Sequence, residues 1–201
     1  GLELALEECG GRNPRSQPSI QLLGLDVSHS VDFVANLTTE TLIVSSNDFR
    51  ATMLDNHGKV VSRFKVGDKS SREILQVLNF PEDRICIFMR SLSNSITAMI
   101  YKSNKLERSF DIESYGDQIT RPYIQMVSKH LFLVCTESCQ GYSIFGDIIG
   151  HKISIGRGEG DPALLRMQNG NILLVSYDSS KHKTMGSLLE INDRKFIIKE
   201  I

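Results

Sequence analysis

The 201-residue chain predicts an all-β fold, a β-propeller of about four four-stranded blades, on three observations. First, unbroken apolar runs recur at Leu42–Val44, Ile85–Phe88, Leu131–Val134 and Ile172–Val175, with starts 43, 46 and 41 residues apart. A period in the forties belongs to propeller blades. Second, every copy repeats one internal order of short apolar segment, apolar strand, polar loop, third strand, turn and alternating outer strand. Third, no stretch after residue 30 shows the 3.6-residue periodicity of an amphipathic helix.

The elements follow in order. Blades are expected at about 31–66, 74–112, 122–155 and 162–201. The leading segments read VDFVANL, ILQVLNF, YIQMV and ALLRM, and the outer turns DNHGK, KSNK, GDIIGH and NDRK. Gly, Asn and Asp in those turns supply the positive φ that tight hairpins need. This assignment puts His57 and His151 in equivalent outer turns. The run Ser176–Met185 reads as the longest and most mobile blade-face loop. Residues 1–18 read as a linker or short helix, rich in Gly and Pro towards Pro18. Ile20–Val27 is a strand beyond what four blades use, and it favours a larger propeller whose missing blades come from this chain or another.

Composition narrows the function classes. Hydrophobic residues make up 40% and charged residues 23%, as in a folded globular protein. Lys plus Arg total 23 against 24 Asp plus Glu, a net charge of −1, which does not suit a surface wholly given to nucleic acid. No apolar run reaches the roughly 18 residues of a membrane span, so no membrane partner is expected. The N-terminus carries glutamates where an export signal would carry Lys or Arg, and a cytoplasmic, reducing location is expected. In that setting Cys9, Cys86, Cys135 and Cys139 are expected as free or buried thiols, with a Cys135–Cys139 disulfide or half of a metal site as the minor alternative. Asn36-Leu37-Thr38 matches a glycosylation acceptor, which matters only after secretion.

Catalytic patterns are weak. Gly156–Gly160 ("GRGEG") lacks the Lys-Ser/Thr ending of a phosphate loop and leads into Pro162 and an apolar strand. The five histidines show no ligand spacing. Scattered aspartates read as turn carboxylates, and no Ser/His/Asp arrangement can be built from spacing. The expectation is therefore no enzyme, no catalytic residues, no cofactor and no metal, with an active site of carboxylates or histidines converging at a channel mouth as the remaining enzyme alternative.

The stretch "YSIFGDIIGHKISIGRGEGDPALLRMQNGNILLVSYDSS" resembles the rhythm of NHL repeats: a strand ending in Phe, a Gly turn, a strand, a Gly-rich link, a Pro, an apolar strand and an "NG" hairpin. "TMLDNHGKVVSRFKVGD" is similar to the outer hairpin of the same unit, although no copy carries the Asn-His-Arg element. Trp is absent, which disfavours WD and Asp-box propellers. The NHL resemblance implies binding of protein or single-stranded RNA on one face.

The expected function is thus a non-catalytic interaction module. Loops between second and third strands, with the inter-blade links, should share one face and carry Arg50, Arg90, Arg121, Tyr177, Lys181 and Lys183 as binding residues. Acidic residues are interspersed, and that mixture favours a protein partner, with single-stranded RNA as the alternative. Lys181 and Lys183 are the preferred contacts.

Overall fold

In the computed structural model, residues 32–112, 122–136, 138–154, 162–192 and 195–200 are described. The chain divides into two compact units, Gly1–Val66 and Gly67–Ile201. Residues 1–18, the strand expected at Ile20–Val27, and the links 113–121 and 155–161 with their "GRGEG" lie outside the described residues.

The first unit holds one antiparallel sheet of β1 (Phe33–Asn36), β2 (Glu40–Ser45), β3 (Arg50–Asp55) and β4 (Val60–Lys65), in chain order. Leu42 and Val44 on β2 are fully buried, whereas β4 alternates half-buried and exposed positions. That contrast follows from position, because a central strand is covered on both faces and an edge strand on one. The β3–β4 turn is tied by the Asp55 carboxylate, which accepts hydrogen bonds from the backbone N–H groups of His57 and Lys59, each at 2.9 Å.

The second unit holds three such sheets. The first comprises β5 (Ser71–Phe80), β6 (Arg84–Ser91), β7 (Ile96–Lys102) and β8 (Lys105–Ile112). The next comprises β9 (Tyr123–Met126), β10 (Leu131–Cys135), β11 (Ser138–Ser143) and β12 (Ile148–Ser154). The last comprises β13 (Ala163–Arg166), β14 (Ile172–Asp178), β15 (Lys183–Asn192) and β16 (Lys195–Glu200).

Strand β10, "LFLVC", is buried throughout and shows why the sheets stack. Successive side chains point to opposite faces. Phe132 and Val134 therefore enter one core with Phe80, Cys86, Phe88, Ile100 and Ile112 of the preceding sheet. Leu131, Leu133 and Cys135 enter a second core with Ile172, Leu174 and Leu189 of the following sheet. Phe132 is the hub of the first core. Its ring lies 5.0 Å from Phe88, 5.7 Å from Tyr142, 6.3 Å from Phe80 and 6.4 Å from Phe110.

Four expectations need correction. The run Ser176–Met185 is mostly strand: Ser176 pairs with Met185, Tyr177 with Thr184 and Asp178 with Lys183. The connection shrinks to residues 179–182 because backbone pairing continues beyond the point where side chains are buried. The third outer turn spans 144–147, not Gly146–His151, and His151 lies on β12. Here side chains fix the turn: Ser143 Oγ accepts from the N–H groups of Phe145 and Asp147, each at 3.1 Å, and donates to Asp147 Oδ2 at 3.0 Å. The second glycine of the expected turn, Gly150 (φ 72°), lies beside a bulge in β12, where Gln140 Nε2 donates to the Ile149 carbonyl at 3.1 Å.

Arg90 is a third case, since it lies on β6 and not in a loop. Fourth, Cys135 and Cys139 are not free thiols. They face each other across the β10–β11 hairpin, with Cα atoms 4.0 Å apart, and form a disulfide buried in the second core. Cys86 is free and buried, and burial pushes its thiol well above the ordinary cysteine range.

Candidate functional site

The β14–β15 hairpin brings three of the sequence-selected residues together. Asp178, the last residue of β14, is 4% exposed and organises the connection. Its Oδ1 accepts from Ser180 Oγ at 2.6 Å, Ser180 N at 3.0 Å and Lys181 N at 3.3 Å. The Ser180 hydroxyl, with further help from Lys181, holds this carboxyl below the usual aspartate range. His182 closes the turn with φ 50°, and its Nδ1 lies 3.4 Å from the Tyr177 hydroxyl. Tyr177 stays 47% exposed despite that contact. Lys181 Nζ sits 3.4 Å from Asp178 Oδ2 and remains exposed, and Lys183 is exposed at the start of β15. The hairpin therefore carries Lys181 on a short connection whose shape its own side chains set, with Tyr177 on one face of the flanking strands and Lys183, paired with Asp178, on the other.

The other selected residues lie elsewhere. Arg50, in the first unit, is exposed at the start of β3, with Nε 3.3 Å from Asp48 Oδ2. The Arg90 side chain is only 14% exposed, and its Nε sits 3.7 Å from Glu73 Oε2, so it serves the β5–β6 pair more than a partner. Arg121 lies outside the described residues.

A second feature of the same unit escaped the sequence reading. A groove of about 890 Å³ opens beside the β9–β10 connection and the β11–β12 turn. Its lining includes Lys129, His130, Phe145, Asp147 and, from the next sheet, Arg166. Phe145 is 52% exposed, with the Arg108 guanidinium 5.6 Å from its ring centroid and the His130 ring at 6.3 Å. Arg108 also donates to the Phe145 carbonyl at 2.7 Å, and Arg166 donates to the Val127 carbonyl. The one available signal was an apolar residue inside a turn, Phe145 before Gly146-Asp147, and it was absorbed as the end of a strand.

The two features sit at opposite ends of the last sheet. Arg166 ends β13 beside the β13–β14 turn, whereas Tyr177 lies at the far end of β14. Arg166 pairs with Ile172, and five extended steps along β14 put Tyr177 roughly 17 Å from that position. Among the described residues no cluster of three or more His, Cys, Asp or Glu side chains is placed to hold a metal ion.

No protein-family model matches the chain, and no curated protein matches it in sequence. Solved structures do match in fold. A protein of unknown function from Bacteroides caccae aligns over 88% of this chain and 62% of its own, with 14% identity and a TM-score of 0.54. A streptogramin B lyase aligns over 88% and 57%, with 10% identity and a TM-score of 0.56. Virginiamycin B lyase from Staphylococcus aureus aligns over 89% and 71%, with 12% identity and a TM-score of 0.53. The chain thus spans about 57–62% of the first two. At such identities the likeness speaks for architecture alone. Four antiparallel four-stranded sheets in chain order, matched to these propeller structures, make this chain a β-propeller.

Proposed function

We propose that the chain is a non-catalytic interaction module that docks a protein partner on the β14–β15 hairpin. One observation supports this most: Tyr177 is exposed yet held by His182, at the end of a hairpin whose connection Asp178 ties and which also carries Lys181 and Lys183. Aromatic residues dominate interface energetics, and an anchor ordered before binding loses less entropy on association. The two lysines favour a partner surface carrying carboxylates. Arg50 supplies a further exposed cation on the first unit.

The experiment is affinity capture from cells of the source organism, comparing the chain with its Lys181→Glu/Lys183→Glu and Tyr177→Ala variants. Loss of a bound protein in both variants, with unchanged circular dichroism, supports the reading. An identical bound set in all three refutes it. The NHL resemblance makes single-stranded RNA the competing ligand. A salt titration separates the two, because phosphate contacts cost affinity steeply as salt rises. The lyase names belong to the fold neighbours, and the proposal carries no catalytic step from them.

Leu165 is 61% exposed on the last sheet, and a further blade from this chain or another would pack there. Cytoplasmic residence stays part of the proposal although the Cys135–Cys139 disulfide counts against it, and recovery of that pair oxidised from cells would overturn it.

A further inference from the structure

The groove at the opposite end of the last sheet is separate from the β14–β15 hairpin and has its own pattern of charge. Lys129, Arg166 and Arg108 form no ion pair with a carboxylate among the described residues. The groove's own carboxylate, Asp147, is committed to Ser143. Glu82 and Glu107 of the neighbouring sheet are both engaged by Arg84, whose hydrogen bonds hold each of them below the usual glutamate range. The lining sets Lys129 and Arg166 against Asp147, whose charge the Ser143 hydrogen bond leaves in place, a net excess of one cation with Arg108 alongside. The floor is different in kind, made by Leu131, Ile149 and the half-exposed ring of Phe145.

We infer that this groove binds an acidic peptide segment that places an apolar side chain against Phe145 and its carboxylates against Lys129 and Arg166. Three observations select this occupant. The volume of about 890 Å³ falls in the range of roughly 300–1,000 Å³ that buries a drug-sized ligand, room for a few side chains of a peptide. Lys129, Arg108 and Arg166 outnumber Asp147 at the groove, and that excess favours an anion by charge complementarity. A nucleic-acid strand fits less well, because successive bases need successive aromatic platforms. The lining has Phe145 and the smaller His130 imidazole 6.3 Å from it, a single aromatic patch and not a row of platforms.

The test is selection of a random dodecapeptide display library on the intact chain, followed by fluorescence anisotropy of the most enriched peptide. Enriched sequences combining Asp or Glu with Leu or Phe are expected. Binding should weaken at least tenfold in Lys129→Glu and in Phe145→Ser, and stay within about twofold in Tyr177→Ala, at the opposite end of the last sheet. Melting curves identify a Phe145→Ser protein that fails to fold, in which case Lys129→Glu alone decides. Failure to enrich acidic peptides, or binding unaffected by Lys129→Glu, overturns the inference. Tighter competition by a ten-nucleotide oligo(U) overturns it in favour of RNA. The hairpin proposal stands or falls separately, through Tyr177.

Discussion

Replacing Phe132 with alanine removes the ring that joins two sheets of the second unit. The side chain is fully buried, and four aromatic rings have their centroids within 6.4 Å of its own. Truncating a buried Phe costs about 3–5 kcal/mol, and the upper half of that range applies where the site cannot collapse. Collapse is hindered here, since Phe132 sits on a strand buried throughout and held by strands on both sides. Aromatic pairs add about 0.5–1.5 kcal/mol each beyond area, so the loss of the closest, to Phe88, keeps the estimate high. An expected loss of about 4 kcal/mol compares with the roughly 5–15 kcal/mol of a whole domain. With a urea slope of about 2 kcal/mol/M, the midpoint falls by about 2 M. Because the chain has no Trp, unfolding is followed by far-ultraviolet circular dichroism and tyrosine fluorescence. Phe145→Ala, at a half-exposed ring, is the control and should lose under about 1 kcal/mol. A Phe132→Ala loss below about 1 kcal/mol would refute the claim that this residue is sealed between two sheets.

Three further outcomes follow from the same geometry. Gly67→Ala should destabilise by about 2–4 kcal/mol, because Gly67 sits at φ +77° and a Cβ there would meet Met89 Cε and Ser71 Oγ at 2.6 Å; an unchanged urea midpoint counts against it. The Asp55, Asp68 and Asp178 carboxyls are held below the usual range, chiefly by the Lys59 backbone N–H, the Ser70 hydroxyl and the Ser180 hydroxyl respectively. A depressed folded pKa gives stability that is present above the unfolded value of about 3.9 and is lost as pH falls through the folded value. Melting temperature should hold level from pH 7 to about 5 and drop below about 4, and Asp178→Asn should blunt the drop. Iodoacetamide under denaturing, non-reducing conditions should label Cys86 and spare Cys135 and Cys139, as read by mass spectrometry; labelling of all three disproves the disulfide.

The strands were legible where burial and pairing coincide. Leu131–Val134 and Ile172–Val175 announce themselves because their side chains are covered, and the sequence reading rests on coverage. Pairing without coverage leaves no such mark. Tyr177 and Thr184 pair across β14 and β15 although both are exposed, so a polar decade concealed a regular ladder. Turns that glycine punctuates were placed by composition, and that misplaced the third one. Both Gly146 and Gly150 take positive φ, but Ser143 and Asp147 decide which of them lies in the turn. The disulfide depended on register: Cys-x3-Cys becomes an opposed pair only once Cys135 and Cys139 are known to flank a tight hairpin. The groove was the least legible feature. It joins residues 128–131, 143–149 and Arg166 with Arg108 above, and no local pattern connects segments brought together by the stacking of sheets.

That stacking also governs how the two proposed surfaces relate. Each is fixed by bonds within its own turn: Asp178 to Ser180 and Lys181 at one end, Ser143 to Phe145 and Asp147 at the other. Between them run fully paired strands whose Ile172, Leu174 and Leu189 are buried against the neighbouring sheet. Close-packed interiors resist small displacements, and substitutions farther apart than about 10 Å add without coupling. A change at Tyr177 is therefore expected to leave Phe145 in place. The two ends can be occupied independently, so one partner carrying two linked segments would bind far more tightly than either segment alone, by effective concentration and not by communication through the sheet.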